Sequence, residues 1–276
     1  MLLEAREEIF RNQRQENQEI STIWLDKLQS ALQKRRVSFG GHYSRDFARS
    51  DLKFYRLHAS KRSSLLVAFG GMGRRLMMPP FHIMSFLERN RRDLLLVTAP
   101  RPGTYGSGFG SFGSDFSTSL QKLVQFVEEK NYPRVDVLGI SAGCLPALLA
   151  APRLSARTVT LAGPSNPARP RSLISPDAIE ASWGVEREAS SPPRPRHQPH
   201  VTVTVGANKE VDIRAMNVLR DLVPITEIVV PGAEHNCLWP MVQVKAFDSW
   251  LSYCLSPTPR RFKRLERALQ AGGLSR

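Results

Sequence analysis

The chain is 276 residues long, with 39 basic side chains against 25 acidic ones and a net charge of +14. Apolar residues make up 41% and charged residues 23%, ordinary globular usage that excludes a disordered chain, a collagen and a disulfide-stapled mini-protein. The length suits one large α/β domain or two small ones, and the charge taken alone points to nucleic acid, an anionic membrane surface or acidic substrates.

Residues 1–36 predict a helical extension, because apolar residues such as Ile9, Phe10, Ile20, Ile23, Trp24 and Leu28 recur at helical spacing among charges. Seven basic residues against six acidic ones make it no nucleic-acid arm. Packing on the main domain is the expectation, and partner binding the alternative. Met1-Leu2-Leu3 runs at once into Glu4, Arg6, Glu7 and Glu8, so no secretory leader is expected. No uncharged apolar run reaches the roughly 18 residues of a membrane span. Cys144, Cys237 and Cys254 cannot all pair with one another and form no CxxC. Reduced thiols in a cytoplasmic protein, without a zinc ribbon, are therefore expected.

A main domain is read over 37–256. Lys53–His58 alternates as a half-buried strand does. Leu65–Phe69 and Leu94–Val97 are continuous apolar runs, and Val135–Ile140, Thr158–Ala162, Val201–Val205 and Ile225–Val230 follow. Such runs suit parallel strands buried on both faces. Helices are predicted between them at about 80–90, 115–130, 142–151 and 212–222. The fold class is therefore α/β, a mostly parallel central sheet with helices on both faces and extra N- and C-terminal helices. In such sheets ligands bind beyond the carboxyl ends of the strands. Pro164–His200 holds 8 of the 20 prolines and reads as a linker or an excursion over a site, with 172–184 apolar enough for a helix. Residues 257–276 form a basic tail with six basic residues and one acidic, whose Arg260–Leu265 stretch suits a helix touching an acidic surface.

Gly139-Ile140-Ser141-Ala142-Gly143 is a GxSxG, a pattern that arises by chance in roughly one chain of this length in ten. Its setting adds weight: a strand precedes it and a helix follows, as a nucleophile elbow requires. The serine would then project at a helix N-terminus, where free amides favour a developing anion. Gly70-Gly71-Met72-Gly73 ends an earlier buried strand, so the amides of Gly71 and Met72 can join that of Ala142 in binding an oxyanion. It lacks both the P-loop ending and the full GxGxxG, which disfavours nucleotide binding. His235 follows the last strand, where a loop can bring imidazole to the serine as general base.

With Ser141, an acid after the penultimate strand and His235 in that order, residues 50–255 resemble the α/β-hydrolase superfamily. The resemblance implies a serine-dependent esterase, thioesterase, lipase, peptidase or acyltransferase, needing no cofactor or metal and taking, on the leading expectation, a small-molecule acyl substrate. It also implies that Pro164–His200 sits where members carry a variable cap. One position departs from the pattern. The superfamily often places its acid three residues past the glycine ending the penultimate strand, and here that residue is Lys209. Asp212 and Glu210 are the nearest carboxylates, with Asp212 put first, its alternative role being a helix N-cap. The oxyanion loop also lacks the common His-Gly form.

The leading expectation is an ester or thioester hydrolase working through an acyl-enzyme. The displaced acid motivates a second reading, a non-catalytic binding protein of the same fold. The charge motivates a third, a nucleic-acid or membrane-surface binder, although no specific nucleic-acid module is recognisable. Oligomeric state is left open. The segment 201–256, which bears the acid and histidine, is the only acidic one at about −2, whereas 257–276 carries about +5. The charge therefore belongs to the periphery.

Overall fold

Leu65, Leu66, Val67, Ala68 and Phe69 are all fully buried, as a strand covered on both faces requires. The structure, a computed structural model, describes residues 43–48, 52–57, 64–72, 76–99, 105–109, 111–164 and 198–274. The predicted helix in 1–36 and the excursion over 165–197 lie outside the described residues.

Eight strands form one sheet: β1 (Tyr43–Ala48), β2 (Leu52–Leu57), β3 (Ser64–Phe69), β4 (Arg92–Val97), β5 (Val135–Ile140), β6 (Thr158–Ala162), β7 (His200–Gly206) and β8 (Ile225–Val230). Their order is β1-β2-β4-β3-β5-β6-β7-β8. β1 and β2 are antiparallel to their neighbours, and β4 through β8 run parallel. The seven predicted strands are present. β1 is additional, and its sequence YSRDFA has no apolar run or clean alternation to announce it.

The α-helices are α1 (Pro80–Arg89), α2 (Phe116–Glu129), α3 (Cys144–Arg153), α4 (Glu210–Leu222), α5 (Leu238–Gln243), α6 (Phe247–Leu255) and α7 (Pro259–Ala271). Alternating residues along each strand feed two cores. Leu65, Val67 and Phe69 pack with Leu120 and Leu123 of α2, Leu148 of α3 and Leu219 of α4. Leu66 and Ala68 pack with Ile83 of α1, Met241 of α5, Trp250 of α6 and Leu265 of α7. Helices thus cover both faces, as the sequence predicts.

Local chemistry sets several ends. Asp115 caps α2 by accepting from the Thr118 amide at 2.9 Å. Thr258 caps α7 by accepting from the Arg261 amide, with Pro259 at the first position, where a missing N–H costs nothing. Near the amino ends of the strands, the fully buried carboxylate of Asp136 is bound by Arg92, by Arg134 at 2.8 Å and 3.0 Å, and by Thr158 at 2.8 Å. This cluster ties β4, β5 and β6 together at the end opposite the candidate site.

Candidate active site

The loops that leave the carboxyl ends of β3, β5, β7 and β8 converge. β5 ends at Ile140, and a single 3-10 turn, Ser141–Gly143, leads into α3. The sequence predicts this helix from 142, and the tight turn delays its start by two residues. Ser141 has φ 51°, a left-handed conformation that a non-glycine residue adopts at a cost of roughly 1–3 kcal/mol. The turn is possible because Gly143 lies against β3: a Cβ there would stand 2.2 Å from the Phe69 carbonyl oxygen. Gly139 is equally constrained, since its Cβ would meet Cα of Cys144 at 2.6 Å. Both glycines of the GxSxG are therefore required by close backbone approach.

The strained turn presents the Ser141 hydroxyl to His235, with Oγ 2.9 Å from Nε2. The other ring nitrogen, Nδ1, lies 2.7 Å from Oδ2 of Asp212. Ser141, His235 and Asp212 are thus one hydrogen-bonded chain drawn from the elbow turn, the segment after β8 and the first turn of α4. The Asp212 side chain is almost wholly buried, while that of His235 is 41% exposed. A dry carboxylate fixes the ring, and a half-open ring leaves the serine side accessible.

Glu210 does not join them. Its side chain is 80% exposed and faces Arg214 at 3.8 Å. The reason is helical phase: α4 starts at Glu210 rather than at 212, and residues two apart on a helix project roughly 200° apart. Only one of the two carboxylates can turn toward the sheet. Lys209, at the position the superfamily commonly gives to the acid, is the helix N-cap residue and makes no side-chain cap bond. Asp212 likewise does not act as the N-cap, because it sits in the first turn and spends its carboxylate on His235.

Gly71 and Met72 follow β3, beside the elbow. Gly71 is buried, and Met72, 65% exposed, is the one large apolar side chain left exposed among the described residues. Ala142 lies in the first turn, where its amide has no intrahelical acceptor. The three amides named from sequence therefore belong to neighbouring backbone segments.

Three further residues shape the site. Tyr105 is buried and donates its hydroxyl to the Gly70 carbonyl at 2.7 Å, with the Val97 carbonyl 3.2 Å away, pinning the start of the glycine turn. Burial pushes its phenol upward, so it stays protonated and able to donate. Gly163 follows β6 with φ 57°, and Met77 has φ 59°. A Cβ on Gly163 would meet the Met77 methyl at 2.6 Å, the His235 carbonyl oxygen at 2.9 Å and His235 Cε1 at 3.1 Å. Gly163 and Met77 thus form the wall behind the imidazole. Neither residue was singled out from sequence: the Gly-Pro pair at 163–164 is the one signal that could have found Gly163, and Met77 has none. All three cysteines are free and buried, and Cys144 and Cys237 flank the site without entering it. Burial, reinforced by the charge of Asp212, pushes the Cys237 thiol up to about 12. Among the described residues no group of three or more His, Cys, Asp or Glu side chains could hold a metal ion.

The sequence matches no protein-family model and no curated protein. Solved structures do match. An S-formylglutathione hydrolase from Agrobacterium tumefaciens aligns with a TM-score of 0.53 at 11% identity, over 78% of this chain and 100% of its own. Est1E from Butyrivibrio proteoclasticus gives 0.50 at 12% identity, over 78% and 100%. The capsule O-acetyltransferase of Neisseria meningitidis serogroup A gives 0.50 at 13% identity, over 76% and 93%.

This chain has the α/β-hydrolase fold. The α/β-hydrolase fold accounts for the strand order, with an antiparallel β2 ahead of a parallel sheet, and for the convergence of loops after β3, β5, β7 and β8. At these identities the likeness is one of fold, and the chemistry must be argued from the side chains.

Proposed function

We propose that this protein is a serine hydrolase that cleaves an ester or thioester through an acyl-enzyme. The observation that carries the reading is the Asp212–His235–Ser141 chain, with contacts of 2.7 Å and 2.9 Å, on a serine held at φ 51°. In the proposed mechanism the Ser141 hydroxyl gives its proton to Nε2 of His235 as Oγ attacks the acyl carbonyl. Asp212 accepts the Nδ1 proton bond, fixes the tautomer and stabilises the imidazolium. The amides of Gly71, Met72 and Ala142 take the oxyanion. His235 then protonates the leaving oxygen or sulfur, and a water activated by the same imidazole releases the acid.

The displaced acid motivates a non-catalytic binding role as the second reading, and the 2.7 Å contact between Asp212 and His235 favours the catalytic one. Among the described residues no helix is long and apolar enough to cross a membrane. Separately, three free, buried thiols support a cytoplasmic setting. The decisive experiment is labelling with a fluorophosphonate: the wild type is labelled and Ser141→Ala is not. Equal labelling of both would reject the assignment.

A further inference from the structure

Helix α7 has two unlike faces. Phe262, Leu265 and Leu269 fall within an arc of about 60° and pack into the core beneath the sheet, with Phe262 against Tyr253 at 5.2 Å between ring centroids. Diametrically opposite, Arg260, Lys263, Arg264 and Arg267 fall within an arc of about 100°, and all four are exposed. Glu266, the helix's one acidic residue, lies off this stripe and lines the groove against β8 together with Glu227. Among the described residues none of the four cations has a carboxylate partner. The helix is also held in place. Thr258 caps it, and Arg261 donates to the Ser256 carbonyl at 2.9 Å. The cations are therefore presented on a rigid rod roughly 10 Å long from Arg260 to Arg267.

A preformed, acid-free cationic stripe suits an anionic partner. A nucleic-acid groove of the single-strand type would add aromatic platforms for stacking, and the helix's one aromatic residue, Phe262, is turned inward. An inserting membrane anchor would present an apolar wedge, and the outer face of α7 has none. What remains is adsorption to a charged plane, for which a cluster of four or more cations on an amphipathic helix is suited. We propose that the outer face of α7 docks this protein peripherally on an anionic lipid surface, through Arg260, Lys263, Arg264 and Arg267. The stripe stands independently of the acyl chemistry.

The test is co-sedimentation of the full chain with vesicles of phosphatidylcholine alone and of phosphatidylcholine containing about a third phosphatidylserine. Each cation near such a surface strengthens binding about fivefold, so Lys263→Gln/Arg264→Gln/Arg267→Gln should lower partitioning onto the anionic vesicles about 100-fold. Lys122→Gln/Arg153→Gln/Arg157→Gln removes the same charge from exposed positions on other elements and should lower it by no more than about fivefold. Circular dichroism establishes that both variants fold. Raising salt to 0.5 M should release the wild type, because screening shortens to a few ångströms. Equal partitioning onto the two vesicle types, equal loss in the two triple variants, or stripe-dependent binding to duplex DNA without vesicle binding would each overturn the proposal.

Discussion

Gly163→Ala tests whether the wall behind the imidazole sets activity. The added methyl carbon would stand 2.9 Å from the His235 carbonyl oxygen and 3.1 Å from its Cε1. Ordinary carbon contacts lie near 3.5–4.0 Å, so the ring must retreat by about 0.4 Å or more. The Met77 methyl, at 2.6 Å, is the end of a flexible side chain and can swing aside. His235 cannot retreat freely, since it is held at 2.7 Å and 2.9 Å on its two sides. If a misplacement of about 1 Å costs about 100-fold in rate, 0.4 Å costs about 6-fold. The backbone adds a separate penalty. An alanine at φ 57° costs about 1–2 kcal/mol, which lowers Tm by roughly 2–8 °C in a unit of this size. The assay is the rate of fluorophosphonate labelling and kcat/KM on a short acyl ester, beside a thermal melt. A variant whose Tm falls while both rates stay within twofold of wild type would refute the idea that Gly163 positions His235.

Asp212→Asn should lower kcat by about 10^4-fold through loss of the correct imidazole tautomer, whereas Glu210→Gln should change kcat/KM less than twofold; equal losses measured on the same ester would contradict the helical-phase argument. Asp136→Ala leaves Arg92 and Arg134 facing each other without their carboxylate and should destabilise the fold by about 3–5 kcal/mol, read from denaturant midpoints. For His200, burial lowers the folded-state pKa below its ordinary value. The unfolded chain therefore takes up a proton first as pH falls, and stability is lost on going from about pH 7 downward through 6.5. Urea midpoints at pH 7.5 and 5.5 should converge in His200→Asn, and an unchanged gap would assign the pH dependence elsewhere.

Much of this fold is legible in the chain order of its residues. Leu65–Phe69 and Leu94–Val97 read as buried strands, since a short continuous apolar run ended by a turn signal suits a strand covered on two faces. The alternation of such runs with helical segments entailed a parallel sheet, and a parallel sheet places its loops, with Ser141 and His235, at one end. Local patterns could not reveal β1, whose pairing with β2 is a contact between segments and leaves no run or period in YSRDFA. Nor could they choose between Asp212 and Glu210. That choice rests on where α4 begins and how it is rotated against β7, which packing decides. The same is true of Tyr105, Gly163 and Met77: each lies against a residue at least 35 positions away along the chain. The basic stretch at 260–267 was visible as charge, yet only the docked helix sorts its residues into a buried apolar side and an outward cationic one. Sequence period determined which segments pair and cover one another; the close approaches that turn a serine, a histidine and an aspartate toward a common point exist only once the sheet has brought its ends together.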